Sequence, residues 1–85
     1  MSYTIEFTTR AGRELSALTG AEQLGIAKRI DSLATTPRPP GCKKLTGPEP
    51  LYRIRVGDFR VIYSIEDRRL LVLVIRVGNR RDIYR

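Results

Sequence analysis

At 85 residues the chain has room for one small domain and none for a cofactor-binding domain beside it. Sixteen Lys and Arg against nine Asp and Glu give a formal charge of +7, which points to a polyanion or an acidic protein as partner. Thirteen of the sixteen cations are Arg, the side chain that meets phosphate bidentately and stacks on bases. The absence of His removes the commonest general acid/base and the usual His/Cys metal sites. Cys42 is the single cysteine, so it forms no internal disulfide, and without a His it has no activating base.

In chain order, residues 3–7 alternate apolar and polar and predict a short strand. Thr8 or Thr9 then caps a helix that turns Ala11, Leu15 and Leu18 inward and stops at Gly20. A second helix is expected over residues 21–34, with Leu24, Ala27, Ile30, Leu33 and Ala34 on its inward stripe. The Pro-rich segment 36–41 breaks it, and Thr46-Gly47-Pro48-Glu49-Pro50 turns the chain toward a sheet. The longest apolar run, residues 70–75, is too short to span a bilayer, and the N-terminus lacks a signal-peptide core. A cytoplasmic protein with no membrane partner is the expectation.

The most informative stretch is residues 51–63, two alternating strands around Gly57-Asp58. A two-residue loop there pairs Val56 with Phe59, Arg55 with Arg60, Ile54 with Val61, Arg53 with Ile62 and Tyr52 with Tyr63. One face is then apolar and aromatic, and the other carries Arg53, Arg55 and Arg60. Like charges directly opposed destabilise a strand pair, so such a cluster implies an anion that it meets, and a phosphodiester suits guanidinium geometry. Residues 70–77 read as a strand covered on both faces. A tight turn near Asp67-Arg68 would pair it as Tyr63 with Val72 and Val61 with Val74. The expected fold is α+β, in the order β-α-α-β-β-β. A helical hairpin packs on one face of a small antiparallel sheet, the arginine face is left open, and its apolar lower part is covered by a loop or a partner. Gly78 is expected to turn the tail back, bringing Arg80 and Tyr84 to the arginines.

The run Leu45-Thr46-Gly47, the hairpin from Leu51 to Tyr63, and Val77-Gly78-Asn79-Arg80-Arg81-Asp82-Ile83-Tyr84-Arg85 together resemble the RelE branch of the RelE/ParE toxin superfamily. The resemblance covers essentially the whole chain and implies a single RelE-like domain over residues 1–85. It implies the toxin of a type II toxin–antitoxin pair, an endoribonuclease (mRNA interferase) that cuts mRNA in the ribosomal 30S A site, neutralised by an acidic RelB-like antitoxin. The chemistry implied is attack of a ribose 2′-hydroxyl on the adjacent phosphodiester, with no cofactor and no metal. The family's basic pair before the turn falls on Arg53 and Arg55, and its arginine after the turn falls on Arg60. Its arginine after the Val-Gly-x step falls on Arg80, and its C-terminal tyrosine on Tyr84. Arg60 and Arg80 are assigned to the scissile phosphate and leaving group, Arg53 and Arg55 to the RNA backbone, and Tyr84 to base stacking or orientation. Lys43, Lys44 and Arg81 join the RNA-binding set. Arginine is a poor general base, which leaves the base open, with Glu49, Asp82 and Tyr84 as the nearby candidates. Two other readings stand beside the nuclease: a ParE-like inhibitor of DNA gyrase that cleaves nothing, and a nucleic-acid-binding module without catalysis. The arginine cluster favours the nuclease, because gyrase inhibition needs no phosphate-shaped site.

Overall fold

The computed structural model describes residues 2–82. Its elements are β1 (Thr4–Phe7), α1 (Thr9–Ser16), α2 (Gly20–Ser32), β2 (Lys43–Lys44), β3 (Leu51–Val56), β4 (Phe59–Glu66), a 3-10 turn (Asp67–Arg69) and β5 (Leu71–Asn79). The strands form one sheet in the order β1-β5-β4-β3-β2. β5, β4 and β3 pair antiparallel, as expected; β2, a strand absent from the expected order, adds to them antiparallel, and β1 lies parallel to β5, so the sheet is mixed. A parallel neighbour requires a long connection, and the helices, loop and hairpin between β1 and β5 supply it.

The helix pair covers one face. Ala11 of α1 and Ile26, Ile30 and Leu33 of α2 and its C-cap pack against Ile54, Val61, Tyr63, Val72, Val74 and Val77 of the sheet, all within 1% of full burial. Each such aliphatic side chain contributes about 1.5–3 kcal/mol, so this layer dominates stability. Thr8 caps α1, its side chain accepting from Ala11 N at 3.1 Å. Gly20 does not stop that helix; α1 ends at Ser16, and Gly20 is the first residue of α2. Thr19 and Glu22 close a capping box there, each side chain satisfying a backbone N–H of the other's segment. That start sets the phase of α2. Its buried stripe runs through Ile26, Ile30 and Leu33, while Leu24 points outward at 62% exposure, contrary to the stripe expected from sequence.

The β4–β5 register also differs from expectation. Tyr63 faces Val74 and Val61 faces Val77, because the connection is a 3-10 turn closed by Leu70 in the left-handed region (φ 49°) rather than a tight turn. The register shifts between Ile62, opposite Arg76, and Tyr63, opposite Val74, which leaves Ile75 as the extra residue of a bulge. β1 ends opposite Val74, so the outer edge of β5 beyond it has no strand neighbour. α1 takes over that role. Thr8 Oγ1 donates to Ile75 O at 3.0 Å, Val77 N donates to Glu14 Oε1 at 2.9 Å, and Arg76 Nε donates to the same carboxylate. Side chains thus satisfy backbone groups that a sixth strand would otherwise pair.

The Pro-rich loop is fastened to the sheet at one corner. Arg38 grips Asp67 through two hydrogen bonds of 3.2 and 3.0 Å, Tyr3 Oη donates to Asp67 Oδ1 at 2.6 Å, and the Arg38 guanidinium lies 5.2 Å from the Tyr52 ring centroid. Arg38 first and Tyr3 second hold the Asp67 carboxyl below the usual carboxylate range. Beneath them the buried Tyr63 hydroxyl donates to Pro37 O at 2.8 Å, and burial pushes its ionisation up. Arg38 and Asp67 are 45% and 55% exposed, so solvent screening keeps their pair modest.

Ile54→Ala is expected to lower unfolding stability by ~2–5 kcal/mol, because it empties a site in the sheet–helix layer. Leu24→Ala should stay within about 0.5 kcal/mol. Urea titrations of both variants check the two, and equal effects would contradict the observed phase of α2. Asp67→Asn should lower the urea midpoint at pH 7. A depressed folded-state carboxylate stabilises above its unfolded pKa, about 3.9, and that contribution is lost as pH falls through the folded value. The gap between wild type and variant should therefore close toward pH 2, and a gap that stays constant would contradict the ion pair.

Candidate active site

The hairpin between β3 and β4 holds the register expected from sequence, with Arg55 opposite Arg60, Arg53 opposite Ile62 and Ile54 opposite Val61. The cause is local. Gly57 takes φ +61° at the first central position, and Asp58 is not among the residues with positive φ, the pattern of a type II′ turn. Because side chains alternate, burying Ile54, Val61 and Tyr63 under the helices places Arg53, Arg55 and Arg60 on the opposite face. Gly78 of β5 stands opposite Arg60 and adds no side chain there.

That face is less open than the sequence suggests. Arg55 is exposed and Arg60 half-buried, but Arg53 is only 6% exposed, and Ile62 and Leu71 are buried at 6% and 8%. One reason is β2, which pairs outside β3 and makes Arg53 an interior position of the sheet, between Ile62 and Lys43. The Nε atom of Arg53 is buried with no hydrogen-bond partner among the described residues.

β2 also separates the two lysines. Lys43 lies opposite Arg53 and extends the cationic face, whereas Lys44 lies opposite Tyr52 and belongs to the other face. Gly78 does not turn the chain; β5 continues to Asn79, and the turn follows it. Arg80 N donates to Asp58 O at 3.0 Å, Arg81 N to Asn79 Oδ1 at 3.0 Å and Asp82 N to Asn79 O at 2.9 Å. Arg80 and Arg81 are thereby brought to the hairpin turn, where Asp58, Asn79, Arg80, Arg81 and Asp82 line one concavity. Of the residues considered as a base, Asp82 lines this concavity and Glu49 is exposed in the loop before β3. Tyr84, expected beside the arginines, lies outside the described residues.

The arrangement is one of fixed positive charge. Arg55, Arg60 and Arg80 lie around the turn end of the hairpin, and Arg53 with Lys43 lies toward β2. Such donors stabilise an anionic phosphodiester and the extra charge of its pentacoordinate transition state. Among the described residues no three His, Cys, Asp or Glu side chains gather as metal ligands, and no helix is long and apolar enough to cross a membrane. Sequence reasoning missed the pairing of Lys43 with β3, because a two-residue strand has no periodicity. It also missed the Arg38–Asp67 clasp, whose partners are 29 residues apart.

From residue 5 to residue 84 the chain matches the family model described as ParE toxin of type II toxin-antitoxin system, parDE. It is 33% identical over 89 residues to toxin RelG of Mycobacterium tuberculosis, spanning 100% of this chain and 99% of that protein. It is 29% identical over 88 residues to the mRNA interferase toxin RelE of Escherichia coli K12, spanning 99% of this chain and 92% of that one. The fold superimposes with a TM-score of 0.84 on a chain of the toxin–antitoxin complex RelBE2 from Mycobacterium tuberculosis. The identity is 28%, with 96% of this chain and 95% of that chain covered.

Arg55 and Arg60 face each other at a register position where like charges repel. Arg55→Thr should therefore raise the urea midpoint at low salt, by roughly 0.2–1 kcal/mol in stability. The gain should shrink near 1 M salt, where the screening length falls to ~3 Å. A variant that is less stable than wild type at low salt would show that the pair is not repulsive.

Proposed function

This chain belongs to the RelE/ParE toxin family as a RelE-like member, and from that premise we propose that it is a ribosome-dependent endoribonuclease cutting mRNA in the A site. One observation carries the reading: the hairpin register and the Arg80–Asp58 hydrogen bond gather Arg55, Arg60 and Arg80 about one turn. A nuclease that uses the substrate's own 2′-hydroxyl as nucleophile needs this more than it needs a nucleophilic side chain. The RNA provides the attacking oxygen, and the protein provides charge and position. The E. coli relative named an mRNA interferase toxin supports the same chemistry.

In the reaction the 2′-oxygen attacks the neighbouring phosphorus and gives up its proton to a base, the bond to the 5′-oxygen breaks, and that oxygen takes a proton from water, giving a 2′,3′-cyclic phosphate and a 5′-hydroxyl. Arg60 and Arg80 hold the scissile phosphate as negative charge builds on its non-bridging oxygens. Arg55, directly across from Arg60, holds the strand beside it, and Arg81 stands at the same turn. A guanidinium offers donors and no acceptor, so these residues hold the phosphate and do not relay the proton. Tyr84 keeps its proposed role in orienting a base, and Lys44, on the far face, takes no part at the scissile phosphate. The charge of +7 suits an acidic antitoxin segment that covers the arginines until it is removed.

Expression without an antitoxin should arrest translation, with cuts inside A-site codons on primer extension of ribosome-bound message. Arg60→Ala should slow cleavage by roughly a hundred- to a thousand-fold, the loss of one transition-state donor. Charge reversal at Arg55 and Arg60 should also weaken co-purification with the antitoxin. Growth arrest with intact messages and falling supercoiling would overturn the nuclease reading and point to gyrase.

A further inference from the structure

Among the described residues Arg53 is the one charged side chain that is buried, at 6% exposure, and its Nε atom has lost water without gaining an acceptor. A guanidinium so placed destabilises a fold unless an anion completes it. The fold itself supplies none in register. The neighbours of Arg53 across the strands are Ile62 and Lys43, and Leu51 and Arg55 flank it along the same face. Elsewhere the carboxylates of Glu14, Glu66 and Asp67 are engaged by Arg10, Arg76, Arg69 and Arg38. Lys43 compounds the imbalance, since it puts a second cation directly opposite Arg53, where an apolar or acidic residue would have favoured the pairing of β2.

We infer that Arg53 and Lys43 form a second anion subsite, which holds the phosphate next to the scissile one on the same RNA strand. The inference rests on the nuclease reading above and adds to it the register of the substrate. Residues two apart on one strand face are separated by ~7 Å, so Arg53 and Arg55 serve different phosphates rather than one. The cations accordingly fall into two groups along the sheet, Arg55, Arg60 and Arg80 by the Gly57–Asp58 turn and Arg53 with Lys43 toward β2. A diester strand presents anions in such a series, whereas one carboxylate of a partner protein would engage a single group. Arg53, packed within the sheet, is a positioning residue: it fixes which phosphodiester meets Arg60. Lys43, exposed on β2, closes over the same phosphate from outside.

The smallest ligand with two successive phosphates is a nucleoside 3′,5′-bisphosphate. Its affinity, read from backbone amide shifts in NMR titrations at fixed ionic strength, is compared with those of the 3′- and 5′-monophosphates. The bisphosphate should bind roughly tenfold or more tightly than either, the gain of one charge-assisted contact. Lys43→Ala should remove most of that preference, bringing the bisphosphate close to the monophosphates. Arg53→Gln should do the same if its amide spectrum remains native, and Lys43→Ala decides the matter if Arg53→Gln unfolds. No preference in wild type, or a preference untouched by Lys43→Ala, overturns the subsite. A glutamate-rich peptide that binds as tightly as the bisphosphate and competes with it overturns it in favour of an acidic protein ligand. Ribosome-dependent cleavage by the same wild-type sample separates the two claims. Cuts without bisphosphate preference discard the subsite and keep the nuclease, while preference without cuts discards the nuclease and keeps a two-phosphate site.

Discussion

The arrangement of the sheet depends on the two-residue turn at Gly57–Asp58. With φ of +61° at Gly57 and no spare residue in the loop, β3 and β4 have one register available. A slip by a single residue would turn Ile54, Val61 and Tyr63 away from the helices and drive Arg53, Arg55 and Arg60 into the core. The hydrophobic layer and the cationic face are therefore two readouts of the same constraint. Selection for a stable core also fixes where the arginines point.

The two faces are unequal in energy, and that inequality lets the chain keep its charges where they repel. The helix-covered face buries a continuous aliphatic and aromatic layer, at about 1.5–3 kcal/mol per large side chain. Opposed arginines cost only a fraction of that per pair, because Arg55 is exposed and solvent screens it. The buried guanidinium of Arg53 is the larger burden, of several kcal/mol, and it falls within what the opposite layer supplies. Two other arginines serve the fold through ion pairs. Arg76 with Glu14 closes the bare edge of β5, and Arg38 with Asp67 fastens the Pro-rich loop.

The β3–β4 hairpin was legible because alternation and loop length each name the same pairing. The β4–β5 register was not, and the reason lies in composition. Residues 70–75 are apolar throughout, so sliding the strand exchanges one apolar side chain for another, and neither Leu70 in the left-handed region nor the extra residue Ile75 leaves a mark in the pattern. In α2, Leu24 and Ile26 compete for the inward stripe with equal hydrophobicity. The Thr19-x-x-Glu22 capping box was present in the sequence and would have set the phase in favour of Ile26. Among the candidate site residues, the shared face of Arg53, Arg55 and Arg60 followed from the register, and Arg80 from the expected return of the tail as well as from the family motif. The pairing of Lys43 beside Arg53 did not, because β2 is a two-residue strand that exists only once β3 is there to pair with it.

The tail extends the same constraint to Arg80. Its placement comes from backbone to backbone, Arg80 N to Asp58 O, and Asn79 locks the following turn through its own side chain and carbonyl. The position of the Arg80 backbone therefore does not depend on the Arg80 side chain. Asp58 supplies the anchor through its carbonyl, so the turn that sets the register of β3 and β4 also receives the tail, and Arg55, Arg60 and Arg80 are referred to one point in the fold. A side-chain substitution at any of the three can change the charge without moving the frame, whereas a change in the backbone of Gly57–Asp58 would displace all three together.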